Sequence, residues 1–468
     1  MLITTKTRGA LLTMNYTEQT VSTQGFESNK GILFFESGLT DFIQLGMPIQ
    51  NEGEKIFVGK LAECEPGFCP DCSTKLVKNG TLVTTLRHIP LGLEHTKIKV
   101  SYARFRCLNT DCKFNTRSQS IPFKANGYRI TKALKECTER LLSDGCTLKQ
   151  AAELTGLDKM TVKSIHKELL LSKFTIDGKT LIKPERQARY LAIDEFKLHD
   201  GYKYATVIID WETGHILYLA HGKKKAVVYE FMDHVGDEWM SKVEAVACDM
   251  NSDFEEAFKE RYPKLDIVYD RFHIIKNFND KVVSEIRKDE QKRLAEEGTP
   301  EAAKLLKNSR YILMSKRSTL VEKDEDARQG KLVSVPGEIF NKPEIRAHGD
   351  NESWYDDLLE ENRLFFTIDI VKDLLDQAYS SNDEVEMCVK LEYIIDICIE
   401  TENSHFKWFA RLLQRHLSGI YSFAKYKIST GKLEGINSKI KTERHKGYGY
   451  PDDEYFFLRL MELSRKKP

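Results

Sequence analysis

Long apolar runs are missing from this sequence of 468 residues, and no excess of charge of either sign is present. No run approaches the roughly 18 apolar residues that a membrane-spanning helix requires, so we expect no membrane partner. The N-terminal residues also lack the continuous apolar stretch of a signal peptide, which predicts a cytoplasmic rather than a secreted protein. In that reducing compartment, the 10 cysteines favour metal binding over disulfide formation.

The balanced total of 71 basic and 71 acidic residues hides a strong local asymmetry. Residues 97–189 contain 20 Lys or Arg against 9 Asp or Glu, and residues 425–446 contain 7 against 2. Residues 351–402 reverse the sign, with 15 acidic residues against 3 basic ones. Basic blocks of mixed composition indicate a polyanionic partner, whereas the acidic block is interpreted as solvated surface.

Alternating helical and extended patterns predict the order of elements in the C-terminal part of the chain. Apolar strands at 190–193, 204–209 and 215–219 precede a helix at 224–240, a strand at 243–248, a helix at 253–261 and a strand at 266–269. Three consecutive strands extended by right-handed βα units in one sheet are the order of the ribonuclease-H-like fold. Residues 271–425 are almost wholly helical in period, with a polar break near 322–350.

Two cysteine pairs predict a structural zinc site. Cys69 and Cys72 flank one short turn, Cys107 and Cys112 flank another, and each turn offers two thiolates to a tetrahedral Zn²⁺. Cys64 is a competing ligand in this interpretation, and reduced core cysteines are the alternative. The remaining cysteines lie in apolar contexts and are interpreted as core: Cys137, Cys146, Cys248, Cys388 and Cys398.

Residues 147–166 fit a helix-turn-helix, with an ordinary helical hairpin as the alternative. Ala152 is small where two helices must touch, Gly156 suits the turn, and Leu157, Val162 and Ile165 fall at buried positions of the second helix. The same register predicts outward side chains that can meet phosphates and base edges. These are Lys159, Met160, Lys163, Ser164 and Lys167.

Three carboxylates are candidates for binding catalytic metal ions. Asp194 follows the first apolar strand, Asp249 follows the fourth, and Glu434 lies on a basic helix predicted over 432–446. The two strands are adjacent in the proposed sheet, so the two aspartates would emerge side by side. Hard oxygen ligands at one point suit two Mg²⁺ or Mn²⁺ ions, although acidic residues at strand ends are individually common. Strand alternation points Glu195 to the opposite face.

The basic helix carries further candidates beside Glu434. Asn437 and Lys441 share its helical face, and Asn437 can hydrogen-bond a metal shell or DNA. Lys439 and Lys441 can meet phosphates, with a solvated helix face as the alternative. Glu443 should point away from Glu434, which predicts that Glu443→Gln retains most activity.

These motifs together resemble the DDE transposases of the bacterial ISL3 insertion-sequence family over about residues 60–465. The resemblance implies that Asp194, Asp249 and Glu434 are the catalytic triad and that the helices between Asp249 and Glu434 form an insertion domain. It also marks Asp270 and His273 as motif positions around the site. Asp270, at the end of the fifth strand, is a candidate to approach the metals, and His273 is a candidate either to contact DNA or to cap packing. Ser73 stands where the family usually has glycine.

We therefore expect a multidomain α+β transposase that binds double-stranded DNA, both terminal inverted repeats and target DNA, as a homodimer or higher oligomer. The alternatives are a non-catalytic DNA-binding repressor derived from a transposase, and a nuclease of the same fold. The fold expected for the catalytic part is a ribonuclease-H-like α/β domain with an all-helical insertion. The expected segments are 1–60 without an assigned role, 61–125 zinc-binding, 128–171 helix-turn-helix, 172–188 linker, 189–285 the first part of a ribonuclease-H-like catalytic core, 286–425 a mostly helical insertion domain, and 426–468 the rest of that core.

Overall fold

A computed structural model describes residues 43–45, 49–51, 53–92, 94–199, 203–250, 252–335, 342–345, 349–429, 431–447 and 450–465. Most of the 1–60 segment, to which the sequence assigns no role, lies outside the described residues. The chain divides into two compact units, Met1–Leu169 and Leu170–Pro468. None of the described helices is both long and apolar enough to cross a membrane.

The first unit contains a mixed sheet in the order β1-β3-β5-β4, with β2 on β3 and β6 on β5. Leu61, Leu86, Ile98 and Val100 alternate onto one face of this sheet and pack beneath Phe123. The strands are β1 Ile43–Leu45, β2 Ile49–Asn51, β3 Glu54–Leu61, β4 Val77–Leu91, β5 Glu94–Arg106 and β6 Thr116–Ser118.

Strand β3 belongs to the same sheet as the cysteine-bearing segments. It runs parallel to β5, with Glu54 opposite His95 and Lys60 opposite Ser101. The boundary expected at residue 61 therefore separates this strand from its own sheet. Its weak alternation explains why the sequence pattern did not reveal it.

Three helices follow the sheet, Lys132–Ser143, Leu148–Thr155 and Lys159–Phe174, and the third continues past Leu169, where the first unit ends. Thr131 caps the first helix, and its hydroxyl accepts from the backbone N–H of Leu134 at 3.2 Å. Thr147 and Gln150 form a reciprocal capping box on the second helix. The third helix runs to Phe174, so the linker expected from residue 172 begins inside a helix.

The second unit contains a five-stranded sheet in the order β11-β10-β7-β8-β9. Its central strands are buried on both faces, which is why their sequences are continuously apolar. The first strand is twice as long as the four residues expected, because it continues through Asp194 to Lys197. The strands are β7 Tyr190–Lys197, β8 Tyr204–Asp210, β9 Ile216–His221, β10 Ala245–Cys248 and β11 Asp266–Tyr269.

Helices surround this sheet and follow it along the chain. The helix expected over 224–240 is broken at Gly236, whose φ of 88° ends one helix and starts the next. The helices are Lys225–Val235, Asp237–Met240, Ser252–Arg261, Arg271–Phe278, Ser284–Glu296, Pro300–Asn308, Arg310–Met314, Arg317–Arg328, Asn351–Glu361, Arg363–Ser380, Glu384–Glu400, Ser404–Tyr426, Gly431–Lys446 and Asp453–Ser464, with a π-helical turn at Asn279–Val283.

The expected insertion shares one hydrophobic core with the sheet. The core cluster that contains Val246 and Ile267 of the sheet extends without a break to Phe409 and Leu413 of helix Ser404–Tyr426. The insertion is also not all-helical, because Leu332–Val335 pairs with Lys342–Ile345 in an antiparallel hairpin. Apolar periodicity alone could not show that these helices bury their faces against the sheet.

The long helix Ser404–Tyr426 meets the edge strand β11 at closest range near Gly419. A Cβ atom at Gly419 would lie 2.4 Å from the Tyr269 ring, so only glycine fits there without a shift. One turn earlier, His416 leaves the helical conformation (φ −110°, ψ 15°), and its Nδ1 lies 3.1 Å from the Tyr269 hydroxyl.

Candidate functional site

The two cysteine turns meet in the first unit. The Sγ atoms of Cys69 and Cys112 are 3.6 Å apart, and those of Cys72 and Cys107 are 3.5 Å apart. All four sulfur atoms lie within 4.8 Å of one another. The hydrogen bond with Thr74 is the main reason that the pKa of Cys72 falls to about 6, which favours the thiolate.

This donor set fits zinc. A tetrahedron with Zn–S distances of about 2.3 Å places its sulfurs roughly 3.8 Å apart, close to the separations observed here. Cys64 is exposed and lies outside the cluster, so it is not a competing ligand. Cys248 and Cys398 are buried, as expected of core residues, whereas Cys137, Cys146 and Cys388 are only half-buried.

The Cys69 turn is closed by a residue in the left-handed conformation. Ser73 has φ 56° and donates its backbone N–H to the Cys69 carbonyl at 2.9 Å. This conformation favours glycine, which gives a physical reason for the glycine usual at this position in the family that the sequence resembles. The serine is therefore mildly strained and remains compatible with the cysteine geometry.

The helix-turn-helix register agrees with the sequence prediction at most positions. Gly156 ends helix Leu148–Thr155 with φ 69°, and Leu157, Val162 and Ile165 are buried. The fully buried small residue is Ala151, whereas Ala152 is only partly buried, because the helix is rotated by one position relative to the expectation.

The outward side chains of helix Lys159–Phe174 divide into two groups. Lys159, Met160 and Ser164 are exposed, and Met160 retains 68% of its accessible surface. Lys163 and Lys167 are half-buried and make contacts within the protein. The first two residues of this helix, Lys159 and Met160, are therefore accessible.

Strand register places the two aspartates side by side in the second unit. In the parallel pair β10–β7, Ala247 lies opposite Ala192. Two residues further along each chain, Asp249 and Asp194 occupy corresponding positions on the same face. Asp194 lies within strand β7, where it pairs with Val207 of β8.

The helix Gly431–Lys446, here called the crossing helix, reaches Asp194 through an amide. Asn437 Nδ2 donates to Asp194 Oδ2 at 2.7 Å. Leu433, Ile436 and Ile440 form the buried stripe that fixes the orientation of this helix. Glu434 lies one turn before Asn437 on the same side and is exposed, as are Lys439 and Lys441.

Burial of Asp194 disfavours the charged form of its carboxylate. Burial raises its pKa to about 6, against the lowering effects of hydrogen bonds from the Glu195 backbone N–H at 2.8 Å and from Asn437. The amide oxygen of Asn437 is itself buried and has no hydrogen-bond partner among the described residues. A buried acceptor without a donor beside a carboxylate is the kind of surrounding that a divalent cation satisfies.

The two further motif positions have different surroundings. His273 Nδ1 lies 3.1 Å from Asp249 Oδ1, so this imidazole directly holds the second aspartate. Asp270 is buried and accepts from the Phe272 backbone N–H at 3.1 Å, which makes it the N-cap of helix Arg271–Phe278.

The three candidate carboxylates do not converge as closely as the cysteines. Within the described part of the chain, the cysteine cluster is the only set of three or more potential ligand atoms lying within 4.8 Å of one another. Asp194, Asp249 and Glu434 are therefore more widely spaced.

A buried ion-pair cluster behind the crossing helix was missed by the sequence analysis. Glu443 accepts from Arg459 Nε at 3.2 Å and from the Tyr450 hydroxyl at 2.9 Å, and Arg459 also donates to Glu462 at 3.0 Å. Glu443 points away from Glu434 as expected, but it is buried. The expectation that Glu443→Gln is a neutral control is therefore unsound, because the substitution breaks a buried pair.

Comparisons with known proteins identify the family of the chain. Residues 191–460 match the DDE transposase family of ISL3 elements, described as transposase. The chain is 24% identical over 395 residues to the transposase for insertion sequence element IS1001 of Bordetella parapertussis, covering 84% of this chain and 87% of the relative. It is 22% identical over 351 residues to the transposase for insertion sequence element IS1557 of Mycobacterium tuberculosis, covering 70% of each.

Proposed function

The chain belongs to the ISL3 family of DDE transposases, and we propose that it binds the terminal inverted repeats of an insertion sequence, cleaves the DNA there and joins the ends to target DNA. The observation that carries this proposal is the meeting of Asp194, Asp249 and the crossing helix on one side of one sheet. Because an element has two ends to be joined, we propose a homodimer or a higher oligomer on DNA.

The second unit is proposed to be a ribonuclease-H-like catalytic core. The strand order β11-β10-β7-β8-β9, with an antiparallel meander and two parallel strands, supports this assignment. The helices between Asp249 and Glu434 belong to the same core cluster, so we treat them as a covering layer of the sheet.

Asp194, Asp249 and Glu434 would hold two divalent ions, Mg²⁺ or Mn²⁺. The fit rests on hard oxygen donors, the burial of Asp194 and the unpartnered amide oxygen of Asn437. When bound, such ions activate the attacking oxygen of water or a 3′-hydroxyl and stabilise the leaving oxygen. Glu434 is exposed on the crossing helix, one turn before Asn437, whose amide contacts Asp194.

The neighbouring side chains position these ligands and the DNA. Asn437 fixes one oxygen of Asp194, and His273 fixes one oxygen of Asp249. Exposed Lys439 and Lys441 extend from the crossing helix, where they would neutralise phosphates next to the carboxylates.

DNA recognition is proposed for the first unit. The exposed N-terminal end of helix Lys159–Phe174 would enter the major groove, with Lys159 leading and Lys163 and Lys167 behind it. Structural Zn²⁺ on Cys69, Cys72, Cys107 and Cys112 would hold the two turns together without doing chemistry, because four thiolates leave no open position.

The test is Glu434→Gln in a cleavage assay with labelled terminal-repeat DNA. We expect cleavage to fall by several orders of magnitude, because the amide keeps the shape of the side chain but lacks the charge that a divalent ion needs. DNA binding in Ca²⁺ should be nearly unchanged. Glu238→Gln is the matched control, since Glu238 is 94% exposed in the same unit and serves no site. Near-normal cleavage by folded Glu434→Gln would overturn the assignment.

The same cleavage assay separates two alternatives, a non-catalytic DNA-binding repressor derived from a transposase and a nuclease of the same fold. The repressor would bind the repeats equally well with either residue at position 434 and would not cut them. A nuclease of the same fold would release cut ends without joining them to a target plasmid.

A further inference from the structure

One face of the sheet in the first unit is open to solvent. Register places Val58, Lys99 and Thr85 side by side across β3, β5 and β4, and Lys60, Ser101 and Val83 form the next row. Lys60, Lys99 and Thr85 are exposed, and Val58 and Val83 retain 39% and 54% of their accessible surface. The opposite face is the one covered by Phe123.

The open face is positively charged. Lys99 lies at its centre and has no ion-pair or hydrogen-bond partner within the described ranges. Lys60 is 62% exposed, with only a surface contact to Glu63. Glu54 lies on the same face of β3, opposite His95, and its charge is paired with Lys97. The face therefore carries a net positive charge next to hydroxyl and small apolar side chains.

This open face continues to the turn of the helix-turn-helix. A Cβ atom at Gly156 would lie 2.8 Å from His95 Nδ1 and 2.9 Å from Arg87 Nη1, so both side chains pack against the turn. Arg87 and His95 belong to the same face as Lys97 and Lys99, because they alternate with the buried residues of their strands. The recognition helix starts three residues after Gly156, at Lys159.

We propose that the open face of β3, β4 and β5 is a second DNA-contacting surface, which holds the phosphate backbone of the duplex beside the segment read by the recognition helix. The inference rests on the proposed function, because it assumes that the first unit binds duplex DNA. It extends the contact from the helix-turn-helix along the sheet through Arg87, Lys99 and Lys60.

The chemistry of the surface matches a phosphate backbone better than a folded protein partner. Side chains on one face of a strand recur about every 6.7 Å, close to the rise of two base pairs at about 3.4 Å each. Lysine and threonine side chains bind phosphate oxygens without reading sequence. Val58 and Val83 offer small apolar contacts suited to sugars, and neither has the size of an aromatic anchor for a protein interface.

The experiment measures the affinity of the full chain for a 40-base-pair duplex of mixed sequence, at about 50 to 200 mM salt. Affinity falls as salt rises, and Lys99→Gln should make the slope of log affinity against log salt less steep by about 0.9. The double variant Lys60→Gln with Lys99→Gln should make it less steep by about 1.8. The ratio of wild-type affinity to Lys99→Gln affinity should therefore be about three- to fourfold smaller at about 200 mM salt than at about 50 mM salt. Lys292→Gln is the matched control, because Lys292 is 78% exposed in the other unit.

A melting curve of each variant checks for a folding defect. We expect none, because each substitution replaces an exposed lysine. The inference is overturned if Lys99→Gln and the double variant give the same salt slope as Lys292→Gln, which would leave the face to a protein partner. Lys159→Gln separates this from failure of the proposed function. If Lys159→Gln weakens binding and Lys99→Gln does not, only the inference fails. If the wild type binds neither this duplex nor labelled terminal-repeat DNA, the proposed function fails.

Discussion

The substitution Glu443→Gln measures how much the buried ion pair with Arg459 stabilises the crossing helix. Glu443→Gln removes a buried charge 3.2 Å from Arg459 Nε. At an effective dielectric constant of about 20, that pair has a gross attraction of about 5 kcal/mol. Arg459 retains Glu462 at 3.0 Å, so its charge is not left unpaired. We therefore expect a loss of about 2 to 3 kcal/mol in the free energy of unfolding, below the roughly 3 to 5 kcal/mol of an orphaned buried charge.

Scanning calorimetry of the full chain, with urea titration, measures this loss. For a unit of about 300 residues, 2 to 3 kcal/mol corresponds to a decrease of about 3 to 5 °C in Tm. The transition of the first unit should stay in place, and Glu238→Gln should move neither transition. A change below about 0.5 kcal/mol, the level of ordinary surface substitutions, would refute the claim that this pair anchors the helix.

Three further predictions concern other parts of the molecule. Cys69→Ser should release zinc, measured by metal analysis, and destabilise the first unit by roughly several kcal/mol. Full zinc content with an unchanged melting curve would contradict zinc binding by the four cysteines. Burial lowers the pKa of His88 to about 4, so the first unit should lose about 2 to 3 kcal/mol of stability as pH falls from 7 to about 4.5, because the unfolded chain binds the proton first. His88→Gln should be less stable at pH 7 and lack that part of the pH dependence, measured by denaturant unfolding at both pH values. Gly419→Ala should destabilise the second unit by about 1 to 3 kcal/mol, since its Cβ would overlap the Tyr269 ring; an unchanged Tm would refute the tight contact.

Local sequence patterns were sufficient wherever a local rule decides the structure. The apolar runs of the second unit predicted its five strands, because central strands are buried on both faces. The position of Gly156 predicted the turn between the two helices, because its φ of 69° suits glycine. The cysteine spacing predicted the four-sulfur cluster, since each short turn presents two thiolates together.

Long-range pairings were beyond the reach of the sequence. The contact of Asn437 with Asp194 joins residues 243 positions apart, so no local periodicity shows which side chain the amide will meet. The sequence showed only that Glu443 points away from Glu434, and the packed structure reveals its partners Arg459 and Tyr450. The same reasoning explains why the helical insertion was expected to be separate from the sheet.

The Asn437–Asp194 contact also means that the candidate site forms late, because one of its two residues lies near the C-terminal end of the chain. During synthesis a chain folds from its N-terminal end, domain by domain. The unit Met1–Leu169, with its helix-turn-helix, is finished long before the crossing helix emerges. The candidate site is completed only when that helix returns to strand β7, so a chain interrupted before residue 431 would keep the proposed DNA-binding unit and lack Glu434. If the proposed function holds, such a shortened product would bind the same DNA without cutting it and would compete with the complete protein.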